Sequence, residues 1–326
     1  MGEINKLTSR IYSRLGQRGA IFGMAINDLA VINPKMIVLT ADLASLSGMD
    51  RFQKTFPRQF VNVGIAEQNM LGVAAGMTVE GYQTIVTTYA TFLTMRACEQ
   101  IRHFMGYMNL PIVAVGSGAG LSQGFAGSTH YTIEDISILR AIPNIKILSP
   151  ADAGSAVKLF ELAIKENKPA YIRLTGGLNC PIIYYEDKEF SFGGSTCLQE
   201  GNDIAILATG TMVSNAFDAA KTLEDNGLSV KVVDMYSLKP IDKRAIQEAA
   251  KCKLIITVEE HNRLGGLGAI VAEELTCLEN APRLLRLGVD DTFGEVGDYQ
   301  FLLERHRLTP QLITEDILKF ANVSAL

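Results

Sequence analysis

Cysteine is scarce and scattered in this chain. The 326 residues include five cysteines, with no Cys-x-x-Cys pair and no cluster of cysteine and histidine. An odd number at such spacings argues against both a disulfide framework and a zinc site. We therefore expect reduced cysteines that serve as packing residues in a cytoplasmic protein. Their positions are Cys98, Cys180, Cys197, Cys252 and Cys277.

Long apolar runs and charge of a single sign are also lacking. No stretch approaches the about 18 consecutive apolar residues of a membrane span, and the N-terminal sequence MGEINKLTSR has no apolar signal region. The formal net charge is -5, and no run rich in lysine and arginine is present. We predict no membrane span and no nucleic acid or anionic membrane as a partner.

Apolar residues, by contrast, are plentiful, since they make up 48% of a chain long enough for two domains. Short β-branched segments alternate with helix-length segments, which indicates parallel sheets covered by helices. The predicted fold is α/β, with two doubly wound domains: a mainly parallel sheet in residues 1–190 and a smaller domain in residues 191–326. Segment 180–201 is interpreted as the linker. The strands predicted for the first domain are 35–40, 60–63, 84–88, 111–115, 145–148 and 170–174, and one long helix is predicted for 92–108.

Ligands of open α/β sheets bind beyond the carboxyl ends of the strands, so we examine the loops there first. Glu67 lies between the second predicted strand and an apolar helix, in the sequence Gly-Ile-Ala-Glu-Gln-Asn-Met. It could be an ordinary helix-N-terminal carboxylate, favoured by the helix dipole. It could also be partly desolvated by small apolar neighbours and share a proton with a ring nitrogen.

Aromatic and glycine-rich segments follow the next two strands. Tyr89 and Phe92 could pack in the core or form a flat wall for a ring. The glycine-rich loop 116–130 does not fit a dinucleotide fingerprint, because Leu121 interrupts the pattern and no helix follows at once. It is more typical of a lid that faces a substrate. His130 at its end is either a structural histidine or a residue that transfers a proton or binds a hydroxyl.

A second glycine-rich segment, 257–268, lies in the second half of the chain. It reads as a strand, a turn and a helix that begins with glycine. Such a helix N-terminus could bind a phosphate, but domain packing is the favoured interpretation.

Several motifs occur in an order that resembles the pyrimidine-binding and C-terminal domains of transketolase. The resemblance covers nearly the whole chain, and each motif is weak alone. They are Arg18, TADL at 40–43, IAEQNM at 65–70, TYATF at 88–92, RACEQIRH at 96–103, GSTH at 127–130, PNIKILSPAD at 143–152 and VEEH…GGLG at 258–268.

The resemblance implies a thiamine-diphosphate-dependent transfer of a two-carbon ketol unit from a ketose to an aldose. Glu67 matches the glutamate that hydrogen-bonds N1′ of the cofactor's aminopyrimidine. Tyr89 and Phe92 match the aromatics around that ring, and Asp42 matches an aspartate near the thiazolium. His130 matches a catalytic histidine that reaches the substrate's hydroxyls.

The family's Gly-Asp-Gly…Asn motif, which holds Mg²⁺ and the diphosphate, is not found in this sequence. The resemblance therefore implies a split transketolase, in which this chain is the C-terminal subunit. An N-terminal subunit would bring the Mg²⁺ and the diphosphate site, and this chain would hold no metal. Two symmetric cofactor sites would suit an α2β2 assembly.

The sequence departs from transketolase at the sugar-binding positions. Ala126 stands where an aspartate is typical, Gly118 where a second histidine is, and Gly176 and Gly177 where an arginine helps to bind phosphate. Arg18 is the phosphate-side arginine that still matches, and Arg173 is close by in the sequence. We therefore expect an atypical substrate, such as an unusual or unphosphorylated ketose or aldehyde.

Other functions remain open at this point. The β subunit of a 2-oxoacid dehydrogenase or decarboxylase has the same two domains, although IAEQNM and STHYTIED are closer to transketolase and to its deoxyxylulose-phosphate synthase relatives. An enzyme like deoxyxylulose-phosphate synthase is a second alternative. A non-catalytic subunit that has kept the fold is the remaining alternative.

Overall fold

The computed structural model describes residues 4–322 and contains two β-sheets flanked by helices. The strands are β1 Met36–Thr40, β2 Phe60–Asn62, β3 Gln83–Tyr89, β4 Val113–Ser117, β5 Lys146–Leu148, β6 Ala170–Arg173, β7 Thr196–Gln199, β8 Ile204–Ala208, β9 Val230–Asp234, β10 Ser237–Lys239, β11 Leu254–Asn262 and β12 Arg283–Val289. The α-helices are α1 Lys6–Gly19, α2 Ile26–Ile32, α3 Asp50–Thr55, α4 Glu67–Val79, α5 Cys98–Gln100, α6 Asp135–Arg140, α7 Ala153–Glu166, α8 Met212–Asp225, α9 Lys243–Ala249, α10 Leu267–Leu275, α11 Tyr299–Arg305 and α12 Pro310–Asn322.

Both sheets are mainly parallel and lie between helices, so the predicted fold class is confirmed. The first sheet has seven strands in the order β10-β5-β6-β4-β3-β1-β2. The second has five, in the order β12-β11-β8-β9-β7. Only the edge strands β10 and β7 are antiparallel to their neighbours. The inner strands β1, β4 and β8 are buried along their whole length, which explains their continuous apolar sequences.

Three local features differ from the sequence-based expectation. The predicted linker 180–201 contains β7, which pairs with β9 at the edge of the second sheet. Strand β10 follows the second domain's β9 in sequence, yet Ser237 pairs with Leu148 of the first sheet. The predicted helix 92–108 is divided into the π-helical segments Phe92–Arg96 and Ile101–Tyr107, separated by Ala97 and α5. Each feature depends on contacts distant in sequence, which local periodicity does not record. The domain limits at residue 190 stay a prediction.

The sheets meet at a buried arginine. Arg173, at the end of β6, has no exposed surface, and its Nε donates hydrogen bonds to both carboxylate oxygens of Asp135 at 3.1 and 2.9 Å. Its Nη2 donates to the backbone carbonyl of Glu260 in β11 at 2.5 Å. The Tyr171 hydroxyl also donates to Asp135, at 2.7 Å. Arg173 thus joins the two domains and is not available to bind a substrate phosphate.

The described chain has no helix that is both long and apolar enough to cross a lipid bilayer. All five cysteines have free thiols; Cys180 and Cys252 are buried, whereas Cys197 and Cys277 are exposed.

The segment between the domains is held by a buried carboxyl group. The Tyr184 hydroxyl donates to Oδ2 of Asp234, the last residue of β9, at 2.7 Å. Burial raises the pKa of Asp234 from 3.8 to about 8, and the negative charge of Asp152 adds to this, while the Tyr184 hydrogen bond opposes it. The folded protein therefore keeps a proton on Asp234 that the unfolded chain releases near pH 4.

This proton predicts a loss of stability with rising pH. Between about pH 4 and 8 the folded state binds one more proton at this position than the unfolded state, so each rise in pH favours unfolding. The contribution is up to about 1.4 kcal/mol per pH unit. Asp234→Asn keeps an oxygen for Tyr184 but cannot titrate. We expect the wild type's free energy of unfolding in urea to fall, relative to that of this variant, between about pH 4 and 8. Parallel pH profiles for the two proteins would contradict the prediction.

Candidate functional site

Glu67 begins α4 immediately beyond the loop that follows β2, and its carboxylate is buried. The residue is 2% exposed, and Arg96 Nη1 binds its Oε1 and Oε2 at 2.9 and 2.8 Å. Arg96 ends the first π-helical segment, and its side chain is 46% exposed. The expected burial is present, but a cation rather than an apolar wall accompanies it. Arg96 was not predicted as a site residue, although the motif RACEQIRH begins with it.

Three aromatic rings pack together at the ends of β3 and of the glycine-rich loop. The ring centroids of Tyr89 and Phe92 are 6.0 Å apart, and the His130 ring lies 6.1 Å from Tyr89 and 5.4 Å from Phe92. All three pairs meet edge to face, an arrangement that aromatic quadrupoles favour. The rings are only partly buried, so their edges and faces remain accessible to a ligand.

Two arginines connect this group of rings to the rest of the site. The guanidinium of Arg96 stacks on Phe92, 4.2 Å from the ring centroid. Burial lowers the pKa of Arg18, and a hydrogen bond with the Tyr89 side chain opposes that shift. We call Arg18, Glu67, Tyr89, Phe92, Arg96 and His130 the ring cluster. Five of its six members were predicted from sequence, and Arg96 was not.

Asp42 occupies the same edge of the sheet but has other partners. It lies just beyond β1 with a φ of 61°, and its backbone N–H donates to Asn62 Oδ1 at 3.1 Å. The Asn62 amide donates in turn to Asp42 Oδ1 at 3.3 Å. No hydrogen bond or ring contact within residues 4–322 joins Asp42 to the ring cluster, and its side chain is exposed. The structure thus attaches Asp42 to β2.

A cleft of about 410 Å³ opens beside Arg18 between the strand-end loops. Arg18 is the single charged side chain among the residues that line it. The Ser47 hydroxyl is buried there and has no hydrogen-bond partner among the described residues, whereas the Ser45 hydroxyl donates to Asp50 at 2.7 Å. Gln123 adds a side-chain amide. The lining also includes Leu15, Gly16, Gln17, Gly19, Leu46, Gly48, Gly118, Ser122, Phe125, Leu174, Thr175, Gly176, Gly177 and Leu178.

Two glycines of the cleft cannot be replaced without moving the backbone or a neighbour. Gly118 has a φ of +68°, and a Cβ there would lie 2.4 Å from Cγ of Gln123. Gly176 has a φ of +71°, and a Cβ would lie 2.7 Å from Cγ2 of Thr211. Side chains other than glycine are strained at such φ values. A histidine at position 118 or an arginine at position 176 would therefore be strained, whereas a Cβ at Gly177 would meet nothing within 4 Å.

No group of three or more His, Cys, Asp or Glu side chains within residues 4–322 has the geometry to hold a metal ion.

The fold is that of a two-domain α/β protein, with the ring cluster beyond the strand ends of its first sheet. Family models give this class a name: "Transketolase, pyrimidine binding domain" matches residues 17–180, and "Transketolase, C-terminal domain" matches residues 193–313. The chain belongs to the transketolase family, as its motifs predicted.

Similar proteins include separate transketolase subunits. A putative transketolase C-terminal section of Methanocaldococcus jannaschii is 34% identical, over 91% of this chain and 94% of its own. A 6-deoxy-6-sulfo-D-fructose transketolase subunit of a Clostridium species is 37% identical, over 86% of each chain. A solved structure described as a split-gene transketolase in an inactive β4 tetramer is 38% identical. It has a TM-score of 0.84, with 93% of this chain and 97% of that one covered.

We predict that Arg96 and Glu67 stabilise the fold as a coupled pair. Arg96→Met leaves a buried carboxylate without its cation, which should cost about 1–3 kcal/mol, since Arg96 is half exposed. In a Glu67→Gln background the same change should cost under about 1 kcal/mol. The free energies of unfolding in urea of the four proteins form a double-mutant cycle that measures the coupling. Arg102→Met, at an exposed arginine of the following π-helical segment, is the matched control. Equal costs in the two backgrounds would refute the coupling.

Proposed function

We propose that this chain is the C-terminal subunit of a two-component, thiamine-diphosphate-dependent transketolase. The complex would move a two-carbon ketol unit from a ketose to an aldose. The observation that carries the proposal is the buried Glu67 carboxylate at the start of α4, which is linked to the rings of Tyr89, Phe92 and His130 through Arg96. A carboxylate and partly exposed aromatic rings joined in this way fit an aminopyrimidine, which has a basic ring nitrogen and two flat faces.

Thiamine diphosphate, when bound, supplies the carbon nucleophile of this chemistry. The chain's own residues orient it. Glu67 would share a proton with N1′, and Arg96 would hold the carboxylate in position. Tyr89 and Phe92 would hold the pyrimidine by ring contacts, and Asp42, at the end of β1, would lie on the thiazolium side. His130 would bind a substrate hydroxyl and move its proton.

The diphosphate and Mg²⁺ would be held by an N-terminal partner subunit, in an α2β2 complex. Relatives of matching length are named as C-terminal sections or subunits, and one was solved as an inactive tetramer of its own chain. Large apolar side chains also lie exposed near the site, as expected of an interface waiting for a partner. They are Leu46, Ile65, Phe125 and Leu178, which are 59, 74, 70 and 74% exposed.

The first test is reconstitution with a chain that carries the Gly-Asp-Gly…Asn motif. Titration with thiamine diphosphate and Mg²⁺ should show tight binding by the mixture and weak binding by this chain alone. Glu67→Ala should lower ketol transfer by the mixture by about 10²- to 10⁴-fold, the usual range for loss of acid–base catalysis. Glu80→Ala, at the exposed C-terminal end of the same helix, should leave turnover unchanged.

Three results would contradict this proposal. Turnover by this chain alone would show that it needs no diphosphate-binding partner. A Glu67→Ala complex with wild-type turnover would instead identify a non-catalytic subunit, and lipoamide-dependent decarboxylation of a 2-oxoacid would assign the other enzyme class.

For the substrate, we propose a sugar whose remote end carries at most one negative charge. A phosphate monoester carries about -1.5 to -2 at neutral pH, whereas the cleft offers one cation, Arg18, with the amide of Gln123. At Gly118 and Gly176 a longer side chain would meet Gln123 or Thr211, so neither position supplies a second cation. A relative's name includes a sulfonated fructose, and a sulfonate is a monoanion.

We expect kcat/KM of the reconstituted complex to be at least about tenfold higher for a ketose ending in a sulfonate or hydroxyl than for the same ketose ending in phosphate. Arg18→Gln should lower kcat/KM for the sulfonate by about 10- to 100-fold, the value of one charge-assisted hydrogen bond, and should hardly affect the uncharged ketose. Ordinary kinetics with xylulose 5-phosphate and ribose 5-phosphate would exclude this substrate class.

A further inference from the structure

The glycine-rich loop that carries His130 is tied at its base to the first sheet. Ala119 N–H donates to the Leu174 carbonyl at 2.9 Å, and Gly120 and Thr132 exchange backbone hydrogen bonds of 2.8 and 3.1 Å. Between Gly120 and Thr132 the chain has one short 3₁₀ turn, Gly124–Ala126, and no longer element. A loop of this length needs further contacts to hold His130 in one place.

Those contacts come from the C-terminal domain. Leu121 N–H donates to Oε2 of Glu260 at 3.0 Å. Gly297 N–H donates to the Gly124 carbonyl at 3.2 Å, and the Ser128 hydroxyl donates to the Gly294 carbonyl at 2.9 Å. The second domain therefore binds the glycine-rich loop through three of its residues, Leu121, Gly124 and Ser128.

Glu260 is the strongest of these contacts. Its side chain is 1% exposed, and its Oε1 accepts hydrogen bonds from the hydroxyls of Thr211 and Tyr299, both at 2.5 Å. No lysine, arginine or histidine of residues 4–322 forms a salt bridge with it. A buried carboxylate held by neutral donors depends on each of them, so the Leu121 N–H is a necessary part of its environment.

The loop's backbone is shaped around this carboxylate. Gly120 has a φ of +66°, and a Cβ there would lie 2.5 Å from Oε2 of Glu260. The loop thus approaches Glu260 as closely as glycine allows, and a shift of the loop would break the Leu121 contact at once.

We propose that Glu260 is a positioning residue: through Leu121 it fixes the glycine-rich loop so that His130 and Gln123 present their side chains to the substrate. Glu260 itself touches neither ring cluster nor cleft. The C-terminal domain then takes part in the reaction by holding this loop, rather than by supplying a group to it. The kinetic part of the inference rests on the proposed transketolase function, and the structural part does not.

The structural test is hydrogen exchange of the free chain, measured by mass spectrometry on peptides covering residues 118–132. Glu260→Ala should raise exchange at the Leu121 amide by about tenfold or more. Glu260→Gln should restore most of the protection, because its amide oxygen can accept from Leu121 while Thr211 and Tyr299 accept from its NH₂. If Glu260→Ala does not fold, Gly120→Ala disrupts the same contact from the loop side and should give the same increase.

The matched control is Glu259→Ala, at the preceding residue. Glu259 is equally buried, but its carboxylate accepts from the N–H groups of Leu267 and Gly268 within the C-terminal domain. It should lower stability without raising exchange in the loop. Wild-type protection in Glu260→Ala, or equal loss in both variants, would overturn the proposal.

The functional test uses the reconstituted complex. Glu260→Ala should raise KM for the ketose at least about fivefold and leave the dissociation constant of thiamine diphosphate unchanged. A purely structural role would lower the fraction of active complex, and hence kcat, with KM unchanged, and that result would overturn positioning. If the complex has no ketol transfer at all, the proposed function fails, while the exchange experiment still decides the role of Glu260.

Discussion

A guanidinium without access to solvent has to be satisfied by the protein around it, and Arg173 achieves this with groups from both domains. Asp135 supplies the opposite charge, and the backbone carbonyls of Thr132 and Glu260 accept hydrogen bonds from Nη2. Because separating the domains would leave buried charges unpaired, this interaction fixes how β11 sits against the first sheet. The same arginine also fixes Thr132, which pairs with Gly120 at the base of the glycine-rich loop.

The site inherits its geometry from that junction. His130 packs against Tyr89 and Phe92 because both ends of its loop are fixed. The loop begins after β4, Gly120 pairs with Thr132 at its base, and Leu121 donates a hydrogen bond to Glu260 of the second domain. The two walls of the cleft, Gly118 and Gly176, are glycines for the same reason: Gln123 and Thr211 already occupy the space. The position of the C-terminal domain, which supplies Thr211, therefore helps to shape the cleft.

Local sequence patterns were good predictors wherever an element is defined by its own residues. The inner strands are continuous apolar segments, and α4 begins where a polar Glu67 precedes small apolar residues. The patterns were poor predictors of elements defined by partners. Strand β10 has three residues and exists because β5 offers an open edge. The π-helical turns at Phe92–Arg96 follow from packing, and they allow Arg96 to reach both Phe92 and Glu67.

The sequence by itself determined the fold class, the family and five residues of the ring cluster, because motif order and apolar periodicity are properties of neighbouring residues. Tertiary structure alone decided that Arg96 binds Glu67, that Arg173 is a buried link between the domains, and that Asp42 pairs with Asn62. Ion pairs and hydrogen bonds join atoms from distant segments. Their partners are therefore chosen by the packing of the sheets and loops, which no spacing along the chain encodes.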